Sequence, residues 1–350
     1  MSGCAYERGV EMAGRPRLDL DAVVRLGELG DQITPFALRA ACDLRVADLL
    51  ADGPRTVIDL AEAAGADPGA LLRLLRALAA RGVFTEVGEA EFALTPLAEP
   101  LRGDHPMSLR DSFTVLDSDV RSWAQIGHTL RTGRPAFERV HGRSYWDHLA
   151  ANPAESARVD DWMRSINRLH LRTLLGAYPW RRFGTLVDIG GGTGGFLAGL
   201  LARFPAVRGV LFDLPHVVAG APAVLTGAGV ADRCDVVSGS AFDAVPAGRD
   251  GYLLKTVLPG FDDDDAVRIL GVVRAAMRPD SRLVLLEAVL PPGDTFDVAK
   301  LFDVHAMVLT GGAHRSSAQT GALLERAGLR LGQVIATPTL TVLEALPTTE

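Results

Sequence analysis

Cysteine is scarce in this sequence: Cys4, Cys42 and Cys234 stand far apart in a chain of 350 residues. Odd in number and scattered, they suggest neither a disulfide framework nor a zinc-ligand set, which fits a reducing, cytoplasmic setting. Long apolar runs are missing too. No stretch approaches the roughly 18 uninterrupted apolar residues of a membrane span, and mean hydropathy is only +0.16, so no membrane partner is expected. Positive charge is in deficit: 36 Lys plus Arg face 43 Asp plus Glu, for a net charge of −7 and a pI near 5.7. Such a balance repels a phosphate backbone unless the basic residues cluster, so nucleic acid is not an expected partner. Residues 1–17 lack an apolar core followed by a small-residue cleavage site, so they are read as a disordered lead rather than a secretory signal.

The chain is rich in apolar residues, at 48%. At about 100–200 residues per domain, its length predicts two domains with sizeable cores. From Leu18 to about Asp52 apolar residues recur at three- and four-residue spacing, through Ile33, Phe36, Ala37, Ala40 and Leu44, as in amphipathic helices. A short helix closed by Gly65 follows. Asp67-Pro68 then opens a helix through Leu71, Leu75 and Leu78, with proline in the first turn, where its missing N–H is not needed. Val83–Val87 and Phe92–Leu94 alternate as a hairpin around Gly88. Helix, turn, helix and hairpin together read as a winged helix. Arg73, Arg76 and Arg81 would suit a major groove, but Glu62, Asp67, Glu86 and Glu89 dilute them, so a packing or dimerisation module is the better reading. Ser108–Tyr178 reads as helical throughout. After Phe183 short apolar runs alternate with helical segments, at Leu186–Ile189, Gly209–Phe212, Cys234–Val237, Tyr252–Val257, Leu283–Leu286 and Leu340–Leu343. That alternation predicts an α/β domain built on a parallel sheet with crossover helices.

Leu186-Val-Asp-Ile-Gly-Gly-Gly-Thr-Gly-Gly195 ends the first of these strands and runs into a helix at Phe196–Arg203. Ligands of open α/β sheets bind at that end of the strands. Gly190, Gly192 and Gly195 match the spacing G-x-G-x-x-G, with Asp213 about twenty residues on, at the end of the next strand. Asp188, two residues before the first glycine, is out of place in a dinucleotide site, where that position is normally apolar. Bare glycine backbone admits a small zwitterionic ligand closely, and Asp213 can accept two ribose hydroxyls.

Residues 30–345 resemble the small-molecule O-methyltransferases of the caffeic acid and hydroxyindole type, which include actinobacterial antibiotic methyltransferases. The resemblance rests on the winged-helix entry and on LVDIGGGTGG, FDLPHVV, ADRCDVVSGSAFD, LLKTVLPGFDDDDAVRIL and DVHAMVLTGGAHRSSAQ. It implies a class I methyltransferase Rossmann-like sheet over residues 181–350 that binds S-adenosylmethionine. It also implies a mostly helical winged-helix domain over 18–180 that dimerises and walls the pocket, in a homodimer. By the same resemblance Asp188, Gly190, Gly191, Gly192 and Asp213 hold the cofactor, Ser240, Ala241 and Phe242 surround its adenine, and Lys255 lies near its carboxylate. Where relatives place an acidic residue and an aromatic, this chain has Ser240 and Ala241.

A second departure is chemical. Most relatives read V-L-H-D-W where this chain reads Val257-Leu-Pro-Gly-Phe261, so Pro259 replaces the histidine that takes the substrate's proton. Of the two glutamates that flank that histidine in relatives, Glu287 remains and His314 stands in place of the other. Holding a phenol of pKa about 10 as phenolate at pH 7 costs roughly 4 kcal/mol, and a positioned base supplies about 10²–10⁴ in rate. Alignment alone contributes about 7–11 kcal/mol in good cases, so loss of the base leaves methyl transfer open. Four readings follow: a relocated base, His314 or His305, oriented by Glu287; methylation at carbon, on an aromatic ring or keto acid; proximity acting on an already acidic phenol; or a chain that binds the cofactor for another reaction or serves only as a binding protein. His305, among Val304, Ala306 and Met307, better suits a core position, and His314 also suits a loop bonded to backbone near Gly311-Gly312. Asp303, His305 and His314 are too loosely spaced to argue for metal, and Asp262–Asp265 reads as a helix N-terminus rather than a Mg²⁺ site, so no metal is expected. Trp123, Trp146, Trp162, Met163, Pro259 and Phe302 are the expected pocket lining. The sequence therefore predicts a cytoplasmic, dimeric, S-adenosylmethionine-dependent methyltransferase of a small aromatic metabolite in natural-product biosynthesis, with O-methylation ahead of C-methylation and a DNA-binding regulator as the alternative of another class.

Overall fold

The computed structural model describes residues 19–113 and 116–348. Cys4 and the expected disordered lead at 1–17 lie outside the described residues. The N-terminal third is built as the periodicity predicts: α1 (Leu20–Leu29), α2 (Ile33–Asp43), α3 (Val46–Leu49), β1 (Arg55–Thr56), α4 (Val57–Ala64), α5 (Pro68–Ala79), β2 (Phe84–Gly88) and β3 (Glu91–Leu94). Side-chain caps set the helix starts, since Thr56 accepts from the Asp59 amide and Asp67 from the Ala70 amide. Gly65, at φ 65°, closes α4 in the left-handed conformation that glycine adopts without strain. Leu60, Leu71, Leu75, Leu78, Phe84 and Phe92 form the core of this winged helix. Its wing has three strands in the order β1-β3-β2, the two-residue β1 being too short to leave a sequence signal. Arg76 is paired with Glu86 at 2.7 Å, and Arg81 with Glu28 and Asp31 at 3.5 Å, so two of the three wing-side arginines are already matched by acids.

Five helices follow: α6 (Asp117–Trp123), α7 (Ile126–Thr132), α8 (Ala136–His141), α9 (Tyr145–Ala151) and the long α10 (Pro153–Leu174). Phe137, Tyr145 and Leu149 pack with Val308 and Leu309 from the far end of the chain. Leu174, Tyr178 and Trp180 enter the core of the C-terminal sheet. Glu344 anchors that segment, accepting from Arg182 and Arg282 at 2.9 Å each and from the Tyr178 hydroxyl.

The C-terminal sheet has seven strands in the order β6-β5-β4-β7-β8-β10-β9. They are β4 (Thr185–Ile189), β5 (Arg208–Asp213), β6 (Cys234–Ser238), β7 (Gly251–Lys255), β8 (Arg282–Glu287), β9 (Leu329–Ile335) and β10 (Thr341–Pro347). The first five are parallel. β10 runs antiparallel to both β8 and β9, so the sheet is parallel except at this end. Sequence reading also passed over β9, because in this edge strand only Leu329 is buried and no continuous apolar run marks it. The helices α11 (Gly195–Arg203), α12 (Pro215–Val218), α13 (Ala221–Gly227), α14 (Asp263–Ala276), α15 (Val298–Leu309) and α16 (Ser317–Arg326) complete the domain. Strand order reverses between β4 and β7, and the carboxyl ends diverge there, opening the crevice in which doubly wound sheets bind ligands.

Candidate active site

The glycine run leaves β4 into that crevice. Gly190, Gly192 and Gly194 have φ of 67°, 64° and 85°, a region that side chains disfavour. Gly190 is also bare because a Cβ there would stand 2.7 Å from Val257, and one on Gly191 would stand 2.7 Å from the Asp188 carboxyl. The Asp213 carboxylate, at the end of β5, accepts from the Gly192 amide at 2.8 Å and the Leu214 amide at 2.7 Å. It therefore ties the loop to the neighbouring strand while each oxygen keeps a further lone pair. Beyond β6, Ser240 caps the turn by accepting from the Phe242 amide at 3.2 Å. Phe242 lies between the Arg268 guanidinium, 4.8 Å from its ring centre, and the edge of Phe261 at 5.3 Å.

Beneath the loop lies a set of buried ionisable groups. Burial pushes the Asp188 carboxyl up to about 7, against the pull of Lys255. Burial likewise brings Lys255, one of only two lysines in the chain, down to about 8 despite Asp188 and Glu287. Helix α10 supplies the opposite wall. Asp160, Met163, Asn167 and His170 recur on one face at three- and four-residue spacing. Asn167 Nδ2 is 3.5 Å from the position of a Cβ on Gly195. His170 is neutral, its pKa carried down to about 3 by burial and then by Lys255. Sequence reading missed Asn167 and His170, since two polar residues on a long helix mean little until the helix is seen to dock on the glycine loop. Among the described residues Asp188 Oδ1, Asn167 Oδ1 and His170 Nδ1 are buried polar atoms without hydrogen-bond partners. Orphaned buried groups are costly, and an amino-acid zwitterion fits this set: its ammonium suits the oxygens and its carboxylate suits Lys255.

The other side of the crevice is formed after β7. Thr256 has φ 54°, rare for a β-branched residue, and its amide donates to Leu286 O at 2.9 Å. This kink brings Val257 over Gly190 and leads into the tight turn Leu258–Gly260. Pro259 is buried in that turn. Arg315 pins it, donating to Leu258 O at 3.2 Å, Phe261 O at 3.0 Å and Asp263 Oδ1 at 2.8 Å. Gly312 packs directly on the Pro259 and Gly260 backbone, with no room for a Cβ. The acids after the turn are structural as read: Asp262 caps α14 by accepting from the Asp265 amide, and Asp264 and Asp265 pair with Arg326 and Arg268.

Glu287 does not orient His314, which corrects that expectation. Both Glu287 oxygens are buried without a hydrogen-bond partner among the described residues. Burial pushes the carboxyl up to about 8, with Lys255 and then Arg315 pulling the other way. His314 instead engages the backbone beyond Glu287: Nδ1 lies 3.1 Å from Ala288 O. A carbonyl only accepts, so Nδ1 carries the proton and Nε2 is left with its lone pair. Asp303 Oδ1 accepts from the His314 amide at 2.8 Å, and the Phe302 ring stacks on the imidazole at 6.3 Å. Burial holds the His314 pKa below its usual value. His305 is held the other way round. Its Nδ1 lies 3.1 Å from Trp123 Nε1, a donor only, so Nδ1 bears the lone pair and Nε2 the proton. Burial, followed by Arg39 and His314, lowers its pKa and keeps it neutral.

The aromatic residues divide. Trp123 joins His305, and Phe302 joins His314. Trp146 lies against the Pro259 turn, stacked on Phe261 at 6.1 Å and 2.9 Å from where a Gly260 Cβ would be. Met163 shares the helix face of Asn167. Trp162 falls on a different face of α10, towards that of Ser165, which bonds Ser108 and Ser112, so the helix does not bring it to the others.

Residues 123–330 match the model of the O-methyltransferase domain, and residues 29–102 that of the O-methyltransferase dimerisation domain. The mitomycin biosynthesis 6-O-methyltransferase of Streptomyces lavendulae is 40% identical over 301 residues, 84% of this chain and 85% of that protein. The 8-amino-8-demethylriboflavin N,N-dimethyltransferase of Streptomyces davaonensis is 40% identical over 299 residues, 84% of this chain and 86% of that one. The crystal structure of an O-methyltransferase from neocarzinostatin biosynthesis, in complex with S-adenosyl-L-homocysteine and 1,4-dihydroxy-2-naphthoic acid, superposes with a TM-score of 0.80 at 34% identity. That match covers 92% of this chain and 98% of the other.

Proposed function

The chain belongs to the S-adenosylmethionine-dependent O-methyltransferase family, and from that premise we propose that it methylates a hydroxyl of a small aromatic metabolite with His314 as the base. The observation that carries this reading is the hydrogen bond from His314 Nδ1 to Ala288 O, which leaves Nε2 as a free acceptor. Bound S-adenosylmethionine supplies a methyl group on a sulfonium centre, ready for in-line transfer. Asp188, Asn167, His170 and Lys255 hold its methionine end, Gly190–Gly192 give it close backbone approach, Asp213 takes the ribose, and Ser240, Ala241 and Phe242 border the adenine. Trp123, Trp146 and Phe302 offer flat apolar surfaces to the acceptor ring, and Met163 a flexible thioether. As the acceptor oxygen becomes bonded to carbon, its proton passes to His314 Nε2, and the Ala288 carbonyl steadies the imidazolium through Nδ1–H. The usual base position is filled by Pro259, which has no proton to exchange. Arg315 and Gly312 hold that turn and His314 in register.

The test is transfer of a labelled methyl group to a panel of phenols. His314→Ala is expected to lower kcat by about 10²–10⁴-fold with KM little changed. Turnover that survives this substitution at every pH would refute the assignment.

The active form is a homodimer. Helix α1 has no buried residue and leaves Leu20, Val23, Val24, Leu26 and Leu29 more than half exposed, an apolar face that calls for cover. The matched dimerisation domain supports a second copy of this chain as that cover. The working division is a dimerising, pocket-walling part over 18–180 and a cofactor-binding part over 181–350.

A further inference from the structure

Two histidines of opposite tautomer are brought together by one turn of α15. Phe302, Asp303 and His305 lie within one turn of α15. The first stacks on His314 and the second accepts from its amide, so the helix turn that bears His305 is packed against His314. His314 offers an acceptor at Nε2. His305 is fixed by the indole of Trp123, which also stacks on it at 5.9 Å, and so offers a donor at Nε2. A histidine that presents N–H is no base, which leaves His305 without the proton-taking role first considered for it. Arg39 of α2 lies within electrostatic reach of His305.

We propose that His305 is a specificity residue: its Nε2–H reads an oxygen acceptor, carbonyl or carboxylate, carried on the substrate ring beside the hydroxyl whose proton goes to His314. The two histidines then select an aromatic acceptor with adjacent donor and acceptor groups over a simple phenol. The proposal rests on the reading of His314 as base. Trp123 serves as a positioning residue, because its indole N–H sets the tautomer of His305.

The probes are 2-naphthol, 3-hydroxy-2-naphthoate and its methyl ester, which differ only in the group beside the hydroxyl. Their dissociation constants are measured on the dimeric chain saturated with S-adenosylhomocysteine, so the readout does not depend on turnover. The ester is expected to bind about 3- to 10-fold and the carboxylate about 10- to 100-fold tighter than 2-naphthol, the ranges of one hydrogen bond to a neutral and to a charged acceptor. The carboxylate should exceed the ester, because an ionised acceptor makes the stronger hydrogen bond. His305→Leu should collapse the preference to within about threefold, His305→Gln, which keeps a donor near the Nε2 position, should restore most of it, and Trp123→Phe should weaken it. His314→Ala should leave the binding preference intact while lowering transfer to all three probes, so failure of the base assignment is seen separately. A chain that binds the naphthoate and its ester no tighter than 2-naphthol, or not at all, overturns the proposal. So does a preference that survives in His305→Leu.

Discussion

Glu287→Gln distinguishes a buried neutral acid from a buried anion. The carboxyl ends β8 with neither oxygen bonded among the described residues, and burial raises it from 4.5 to about 8. In the unfolded chain it ionises as an ordinary glutamate. Between those two values the folded chain holds a proton that the unfolded chain has released, so each pH unit of rise removes about 1.4 kcal/mol of stability. The contribution is fully present below the unfolded pKa and is lost as pH rises through the folded one. The loss amounts to about 3 kcal/mol at pH 7 and about 5 kcal/mol above pH 8. Glutamine keeps the shape and cannot ionise, so it escapes this loss. Urea unfolding of both chains at about pH 5, 7 and 8.5 should therefore show near-equal stability in acid. The variant should gain about 3 kcal/mol at neutrality and 4–5 kcal/mol in base. A stability gap that is flat across this range, or widest near pH 5, would show that the carboxylate is ionised in the fold.

Three other expectations follow from the site. The His314 pKa lies below 6.5, so kcat should be level through neutral pH and fall only in acid, where the ring gains a proton; a rate that declines already as pH drops from 8 to 7 would contradict this. Asn167→Ala and His170→Leu should each raise the dissociation constant for S-adenosylhomocysteine about 5- to 30-fold, measured by calorimetry, since each removes a partner that the cofactor would satisfy. Gly312→Ala would drive a Cβ into the Pro259–Phe261 backbone, and it should cost about 1–3 kcal/mol in unfolding free energy and at least tenfold in kcat; a variant of unchanged stability and turnover would mean that the turn can yield.

The parts of the fold that rest on local chemistry were legible in advance. Helix starts at Asp67 and Asp262 follow from side chains that satisfy nearby amides, and the four central parallel strands betray themselves as apolar runs because both faces of the sheet are covered there. The edge strand β9 could not be seen, as it buries one residue and borrows its regularity from β10. The cofactor loop was readable because glycine is required where φ is positive and Val257 or Asp188 presses close. Asn167 and His170 were not, since their meaning depends on which way α10 faces.

Residue types and their spacing determined that a glycine cradle with Asp188 and Asp213 sits at the end of a strand, and the family resemblance implies that Pro259 stands where relatives carry their base. Both are read from the chain one residue at a time. Which histidine can take a proton was decided by tertiary structure alone. His305 and His314 are chemically identical side chains nine positions apart. Only the partner that packing brings to each Nδ1, an indole N–H for one and a backbone carbonyl for the other, leaves the first with a donor and the second with an acceptor at Nε2.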